Sequence, residues 1–318
     1  MASSGGHLTD MEDLAPRLVP PGWRREWLVP RSEQAEALSA RGEAVHLMRP
    51  TGPRDWRSTI ANTGAVRRAL AAVDPVAIVS TGAAVALPAF VLGRLRGVEL
   101  HYIECSARTE GPSLTGRMVA RIPGTRLYTQ WPQWSDGRWR ASGGVFDSFE
   151  AIRRSEPRPV RRMVVTLGTQ AGYGFRRLVA RLASVVPPSV DVLWQVGSTD
   201  TGGLGLTVRD RVPPDELAAA MAEADVVVAH SGVGSALTAL KSGRRPILVP
   251  RRHSFGEHVD DHQIQIGSTL AERRMAALVD ASELTWADIE ESAAWHVVAR
   301  PGAPLVLGGR LGQAVGSL

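Results

Sequence analysis

Cysteine is nearly absent from this chain of 318 residues, where Cys105 stands alone. A single thiol excludes an intrachain disulfide and points to a reducing compartment. Cys105 itself reads as a buried core residue rather than a nucleophile. Long apolar runs are also missing. No stretch of about 18 apolar residues occurs, which excludes a transmembrane helix, and no signal peptide is visible. The expectation is a cytoplasmic chain, soluble or held peripherally at the inner face of the plasma membrane. Lysine is reduced to Lys241, although Lys and Arg together number 37 against 32 Asp and Glu, a net charge of +5. The basic charge is thus nearly all arginine and is spread over both halves. A GC-rich genome gives this bias; so does arginine used against diphosphate oxygens and anionic lipid. No basic run with interleaved aromatics suggests nucleic acid. No Asp-x-Asp motif framed by apolar strands occurs, so no metal is expected.

What is present is a globular composition, 44% hydrophobic and 22% charged, in a chain long enough for two domains. Apolar runs predict strands at 26–30, 44–48, 76–80, 99–104 and 125–130, then at 162–166, 190–195, 225–229, 246–250 and 275–279. Helical patterns fall between them, at 32–41, 56–73, 83–96, 172–186, 214–223, 232–242, 260–273 and 283–299. Such alternation with continuously apolar strands predicts an α/β fold with parallel sheets covered on both faces. The polar, Pro-bearing stretch from Glu150 to Arg162 reads as a linker. It divides the chain into residues 1–155 and 156–318, two doubly wound Rossmann-like domains facing a cleft, with ligands beyond the carboxyl ends of the strands. The beginning is unusual. Ala2-Ser3-Ser4-Gly5-Gly6-His7 reads as the turn after a first strand, but no strand precedes it. Either the start lies upstream or the chain is truncated, and a missing central strand would leave an unpaired sheet edge.

Several strand-to-helix turns carry small residues. Ala229-His230-Ser231-Gly232-Val233-Gly234-Ser235 follows the run Asp225–Val228 and opens a helix, an arrangement that binds phosphate. Thr166-Leu167-Gly168-Thr169 and Ser80-Thr81-Gly82 follow other strands. Ser4, Gly5 and Gly6 allow close backbone approach of an anion, with His7 placed beside it to take a proton from an acceptor hydroxyl. Glu104 interrupts an apolar strand end, either to cap the next element or to act in the cleft. Arg108 is placed to meet a phosphate or Glu104. After the strand 246–250 comes a charged block, Pro250 to Gln263. Arg251 and Arg252 offer charge for a nucleotide diphosphate; Asp261 and Gln263 offer hydrogen bonds to sugar hydroxyls; a metal site from His258, Asp260 and His262 is a minor alternative. Residues 112–122, with Leu114, Met118, Val119 and Ile122, form either a lipid-facing helix or an ordinary packed one. Residues 85–96 pose the same question, and Trp131 and Trp134 face either lipid or core.

Residues 164–169, 230–235 and 250–263 resemble the catalytic subunit of the two-part N-acetylglucosaminyltransferase that extends dolichyl diphosphate-GlcNAc. Ser3–His7, Ser80–Ala83, Tyr102–Glu104, Pro112–Gly116 and Gln130–Pro132 resemble its membrane-recruiting partner. Bacterial exopolysaccharide synthesis uses similar pairs on undecaprenyl-diphosphate-sugar; here both parts stand in one chain. More distantly, both halves are similar to MurG, of glycosyltransferase family 28. The resemblance implies a GT-B fold, a UDP-sugar donor, no cofactor or obligatory metal, and inversion at the anomeric carbon.

It implies that Gly168, Thr169, His230, Ser231, Gly232, Gly234, Ser235, Arg251, Glu257, Asp261 and Gln263 serve the donor. Ser4, Gly5, Gly6, Thr81, Gly82 and Arg108 serve the acceptor, and His7 or Glu104 acts as base. Thr238 departs from relatives that carry a carboxylate or amide for ribose at that position. The expected activity is transfer of a sugar from UDP to a polyprenyl-diphosphate-linked saccharide, with peripheral contact to an anionic membrane and no nucleic acid partner. A UDP-sugar 2-epimerase and a non-catalytic nucleotide-binding scaffold are the competing readings.

Overall fold

The structure is a computed structural model that describes residues 1–20, 22–51, 55–156, 158–168, 172–258 and 262–315. The chain forms two units, Met1–Asp147 with Gly302–Leu318, and Ser148–Pro301.

In the first unit the order is α1 (Gly6–Leu18), β1 (Glu26–Pro30), α2 (Glu33–Ala40), β2 (Ala44–Met48), α3 (Trp56–Ala61) and α4 (Thr63–Val73). Then come β3 (Ala77–Ser80), α5 (Ala86–Leu95), β4 (Glu99–Ile103), α6 (Leu114–Val119), β5 (Thr125–Thr129) and β6 (Trp139–Ala141). Strands β3-β4-β5-β6 form one parallel sheet in that order, and β1 and β2 form a separate parallel pair. Helices are needed to cross between parallel strands, and their apolar faces close the core: Val66 and Leu70 of α4, Phe90 of α5 and Val119 of α6 pack with Leu100, Tyr102 and Leu127 of the sheet.

The second unit opens with β7 (Phe149–Arg153), followed by β8 (Arg162–Thr166), α7 (Arg176–Val185), β9 (Asp191–Gln195), α8 (Pro214–Glu223), β10 (Val226–His230) and α9 (Val233–Lys241). It continues through β11 (Ile247–Val249), α10 (His262–Glu272), β12 (Ala277–Leu278), α11 (Trp286–Ala293) and β13 (Trp295–Ala299). A parallel sheet has the order β12-β11-β10-β8-β9. The β-branched runs of β8 and β10 are buried on both faces of this sheet, as its central position requires. The last helix, α12 (Gly309–Val315), belongs to the first unit.

The division differs from the expected one after residue 155. The supposed linker contains β7, which pairs antiparallel with β13, Phe149 opposite Ala299 and Arg153 opposite Trp295. This pairing draws 149–153 into the second unit. The helix expected over 283–299 ends at Ala293, and its β-branched tail Val297-Val298 becomes β13. Residues 302–318 return to the first unit, where Glu99 accepts from the backbone N–H of Arg310 at 3.0 Å and the Tyr128 hydroxyl accepts from Gly308 at 2.9 Å.

Candidate active site

In the second unit the small-residue turns meet at the carboxyl ends of β8 and β10. Gly168 follows β8 with φ +72°, a left-handed conformation that favours glycine. A Cβ there would lie 2.8 Å from Cε1 of His230, the last residue of β10, and one on Gly232 would overlap Nε2 of the same ring. The two glycines therefore leave the space that the His230 imidazole fills. Gly232 is the N-cap of α9 and gives no side-chain cap. The N–H groups of Val233, Gly234 and Ser235 precede the first intrahelical bond, Ala236 N–H to Gly232 O at 3.0 Å, so geometry leaves them without helical acceptors. Ser235 Oγ lies 3.4 Å from His230 Nδ1. Space beside Gly234 is open. Ser231 donates its backbone N–H to Val249 O at 3.1 Å, and its hydroxyl is buried toward Gly267 of α10.

The charged block after β11 is placed differently from its expected role. Arg251 is buried, and its guanidinium donates to Leu167 O at 2.7 Å, while its N–H donates to Gln263 Oε1 at 3.1 Å. Arg251 and Gln263 thus hold the turn that carries Gly168. Glu257 is paired with Arg177 at 3.2 Å and accepts the Arg252 backbone N–H at 3.0 Å. Arg252 and Arg177 both bridge to Asp280, at 3.1 and 2.6 Å. Burial raises the Asp280 carboxyl's pKa, but the Ser282 N–H and hydroxyl and the two arginines outweigh this and hold it well below the usual carboxylate range. Glu257 ties the loop to Arg177 of α7, and Arg252 reaches the same arginine through the shared Asp280, while Arg251 holds the Gly168 turn. Arg177 and Asp280 escaped the sequence reading; the signal was an arginine on an otherwise apolar helix face. Thr169, Asp261 and Asp260 lie outside the described residues.

In the first unit, His7 stands in the first turn of α1, whose N-cap Gly5 has φ +82° and no side-chain cap. His7 Nδ1 is 2.8 Å from Thr81 O, and Thr81 Oγ1 donates to His7 O at 2.7 Å. A carbonyl only accepts, so Nδ1 carries a proton, and in the neutral ring Nε2 is the nitrogen with the free lone pair. A Cβ on Gly82 would crowd the imidazole at 3.0 Å and the Tyr102 hydroxyl at 3.1 Å. Ser4, Gly5 and Gly6 are exposed around this helix start. His7, Thr81, Gly82 and the 4–6 turn are thus one cluster.

Glu104 is 1% exposed. It accepts from the N–H groups of Cys105 (3.1 Å) and Ser113 (2.9 Å) and from the Ser113 hydroxyl (3.1 Å), and Ser113 caps α6. Of its two readings, the structure supports the cap. Asp10, which sequence reading treated only as a helix start, is buried and accepts from Ser106 N–H (2.8 Å), Ser106 Oγ (2.9 Å) and Gln130 Nε2 (3.2 Å). Burial raises the pKa of both carboxyls, and His7 opposes the rise in each. An acid three residues after the histidine, on the buried face of α1, was the available signal. Arg108 is half-buried, and its carbonyl accepts from Trp134 Nε1 at 2.9 Å; no contact of its guanidinium joins it to the His7 cluster.

Trp131 and Trp134 face the interior. Trp131 stacks on Phe146 at 5.8 Å and Trp134 packs on Trp139 at 5.4 Å. Val119 is fully buried, so α6 is a packed helix. Exposed apolar side chains remain at Val91 and Leu95 of α5 and Leu114 of α6, beside exposed Arg94, Arg96 and Arg117. No helix is long and apolar enough to cross a membrane among the described residues.

Residues 164–292 match the glycosyltransferase family 28 C-terminal domain. They hold β8, β10, the start of α9 and the braced loop. The chain has the GT-B fold. Two curated relatives bear the name UDP-N-acetylglucosamine–N-acetylmuramyl-(pentapeptide) pyrophosphoryl-undecaprenol N-acetylglucosamine transferase. The one from Xanthomonas campestris pv. campestris (strain B100) is 29% identical over 65% of this chain and 49% of its own length. The one from Ralstonia nicotianae is 25% identical over 92% of this chain and 85% of its own. The chain thus spans about half the length of the Xanthomonas relative. The crystal structure of Acinetobacter baumannii MurG superposes with a TM-score of 0.59 at 16% identity, covering 92% of this chain and 87% of that one.

Proposed function

We propose that this chain is a glycosyltransferase that moves a sugar from UDP to a polyprenyl-diphosphate-linked saccharide, with inversion and without metal. The observation that carries the proposal is the uncapped start of α9 at the end of β10, flanked by Gly168 and His230. Three free amides and the positive end of the helix favour a diphosphate there. As the glycosidic bond to UDP breaks, charge grows on the departing diphosphate, and donors fixed in advance stabilise it without reorganising. The names of the Xanthomonas and Ralstonia relatives describe N-acetylglucosamine transfer from UDP to a pyrophosphoryl-undecaprenol acceptor, which supports this donor and acceptor class.

His7 is the proposed base. Thr81 O orients the ring, and Nε2 accepts the proton of the attacking hydroxyl. The start of α1 would receive the acceptor's diphosphate. The exposed Val91, Leu95 and Leu114 with their arginine neighbours would rest on anionic lipid at the inner face of the plasma membrane. Incubation of the purified chain with a panel of UDP-sugars and a membrane lipid extract tests the reading. The expected product is a lipid heavier by one sugar, with UDP released. UDP and an epimerised free sugar, with the lipid unchanged, would favour the epimerase instead.

A further inference from the structure

The amino-terminal edge of the second sheet, opposite the edge that carries Gly168 and Gly232, gathers arginines. Strands β8 and β10 begin there, and Asp225 joins their starts. Its carboxylate accepts the backbone N–H groups of Arg161 at 2.8 Å and Arg162 at 3.0 Å. The Arg162 guanidinium pairs with Glu223 at 2.9 Å. Arg244, in the turn before β11, is tied to the last turn of α8: its Nε donates to Met221 O at 3.2 Å and a terminal nitrogen donates to Ala222 O. The same turn packs on α11 and β13, where Val297 N–H donates to Gly243 O at 3.0 Å and Ser292 Oγ to Arg245 O at 2.8 Å. Arg154, the residue after β7, donates its N–H to Ala294 O at 2.7 Å, between those two contacts. The fold thus brings Arg154 and Arg244 to one place.

Among the described residues, neither the Arg154 nor the Arg158 guanidinium makes a hydrogen bond or ion pair, and Arg154 Nε is buried without a partner. Asp225 attracts Arg154 and Arg244, but its carboxylate already serves two backbone N–H groups. Arg154 and Arg244 are half-buried and Arg158 is exposed, so the charge is partly withdrawn from water yet reachable. Burial lowers the Arg244 pKa, and the charges of Arg154 and Arg158 lower it further against the pull of Asp225. Arg158 acts on Arg154 in the same sense. Three like charges therefore face one another. A guanidinium does not shed its proton in a protein, so the repulsion persists, and a buried N–H without an acceptor adds its own cost. An anion relieves both.

We propose that Arg154, Arg158 and Arg244 form a binding site for a phosphate-bearing anion, separated from the donor site by the length of β10, five residues or about 16 Å. Guanidinium forks match phosphate oxygens in pairs, and three of them suit a phosphate dianion better than a carboxylate with a single charge. Arg154 Nε, the Arg158 fork and the Arg244 nitrogen not used by α8 are the donors. Among the described residues, the large apolar side chain exposed in this unit is Phe255, in the turn after β11 at the opposite edge. The arginine edge therefore offers nothing to a bilayer interior, which favours a soluble phosphate compound over a lipid headgroup.

The test titrates inorganic phosphate into the parent chain and into the double variant Arg154→Gln/Arg158→Gln, with ionic strength held constant by sodium chloride. Calorimetry and thermal unfolding are measured on both; phosphate bound at α9 contributes equally to the two. The parent should bind phosphate and unfold several degrees higher in its presence, and the double variant should bind at least about tenfold more weakly. Without phosphate the variant should unfold no lower than the parent, because it loses repulsion and breaks no bond. A merely structural role for the two arginines would lower that midpoint and leave phosphate binding unchanged. Sedimentation of both chains with phosphatidylglycerol–phosphatidylcholine vesicles separates the sources. Weakened phosphate binding with unchanged vesicle binding assigns the site to a soluble phosphate. Vesicle binding lost in the variant, with phosphate bound by neither chain, assigns it to a lipid headgroup. Equal phosphate binding and equal vesicle binding by the two chains would overturn the inference.

Discussion

Gly232 is the residue whose side chain space is taken by His230. An aspartate there would displace the imidazole and set a carboxylate at the proposed diphosphate position, so Gly232→Asp should lose about 10²–10³ in turnover, measured as sugar transferred per enzyme. Replacing His7 by Gln should lower kcat by about 10²–10⁴, the usual worth of a positioned base, and leave KM for UDP-sugar little changed. Asp280 makes a prediction about pH. Its folded pKa is lowered, so its stabilising contribution is present above the unfolded value of 3.8 and is lost as pH falls below it. Denaturant titrations should show Asp280→Asn destabilised at pH 7 and less sensitive to acid between pH 4 and 3 than the parent chain. Glycines 168 and 232 were legible in sequence as turn glycines because each directly follows an apolar strand, and both stand in such turns. The roles of Arg251 and Glu257 were not, because their charges are satisfied by Leu167 O and Arg177, 84 and 80 positions away. A local reading sees free charge where the fold has already paired it.

Elements were more legible than residues. The runs at 26–30, 44–48 and 162–166 are strands with those bounds; β8 is buried nearly throughout, as a central parallel strand must be, while β2 keeps its strand bounds with Leu47 exposed. The strands that escaped are the polar-faced ones. Strand β7 alternates Phe, Glu, Ala, Ile and Arg over a partly exposed pair, and β6 is three residues long. Helix α11 has a capping box of Thr285 and Asp288, which marks its start but says nothing of where Trp295 turns to pair with β7. Helix α5 carries the prediction that belongs to this scale. Leu95 is 77% exposed and adjoins Arg94 and Arg96. If α5 rests on lipid, Leu95→Glu removes about 1.5–3 kcal/mol of apolar burial and adds repulsion. Sedimentation with anionic vesicles should show binding weakened about tenfold or more. Unchanged binding would remove α5 from the membrane contact.

At the scale of the whole chain, the least legible feature was its return. Leu305 and Leu311 are buried in the first unit, yet nothing in the spacing of residues 302–318 points back past the intervening unit. Contacts between distant segments leave no periodicity to read. Ending the chain at Pro301 should remove about 3–6 kcal/mol of burial from the first unit. Hydrogen exchange should rise at β4 and β5 and stay the same at β8 and β10. Because the proposed diphosphate site lies within the second unit, this truncation should also leave UDP affinity intact. That site is tested most directly at Gly234, where added atoms meet open space and φ is ordinary for any residue. A carboxylate in the first turn of α9 favours the helix but repels a diphosphate. Calorimetric titration of UDP into Gly234→Asp should show thermal stability equal to or above that of the parent chain and affinity lowered at least about a hundredfold. Equal UDP affinity in a folded Gly234→Asp would contradict the placement of the diphosphate at α9.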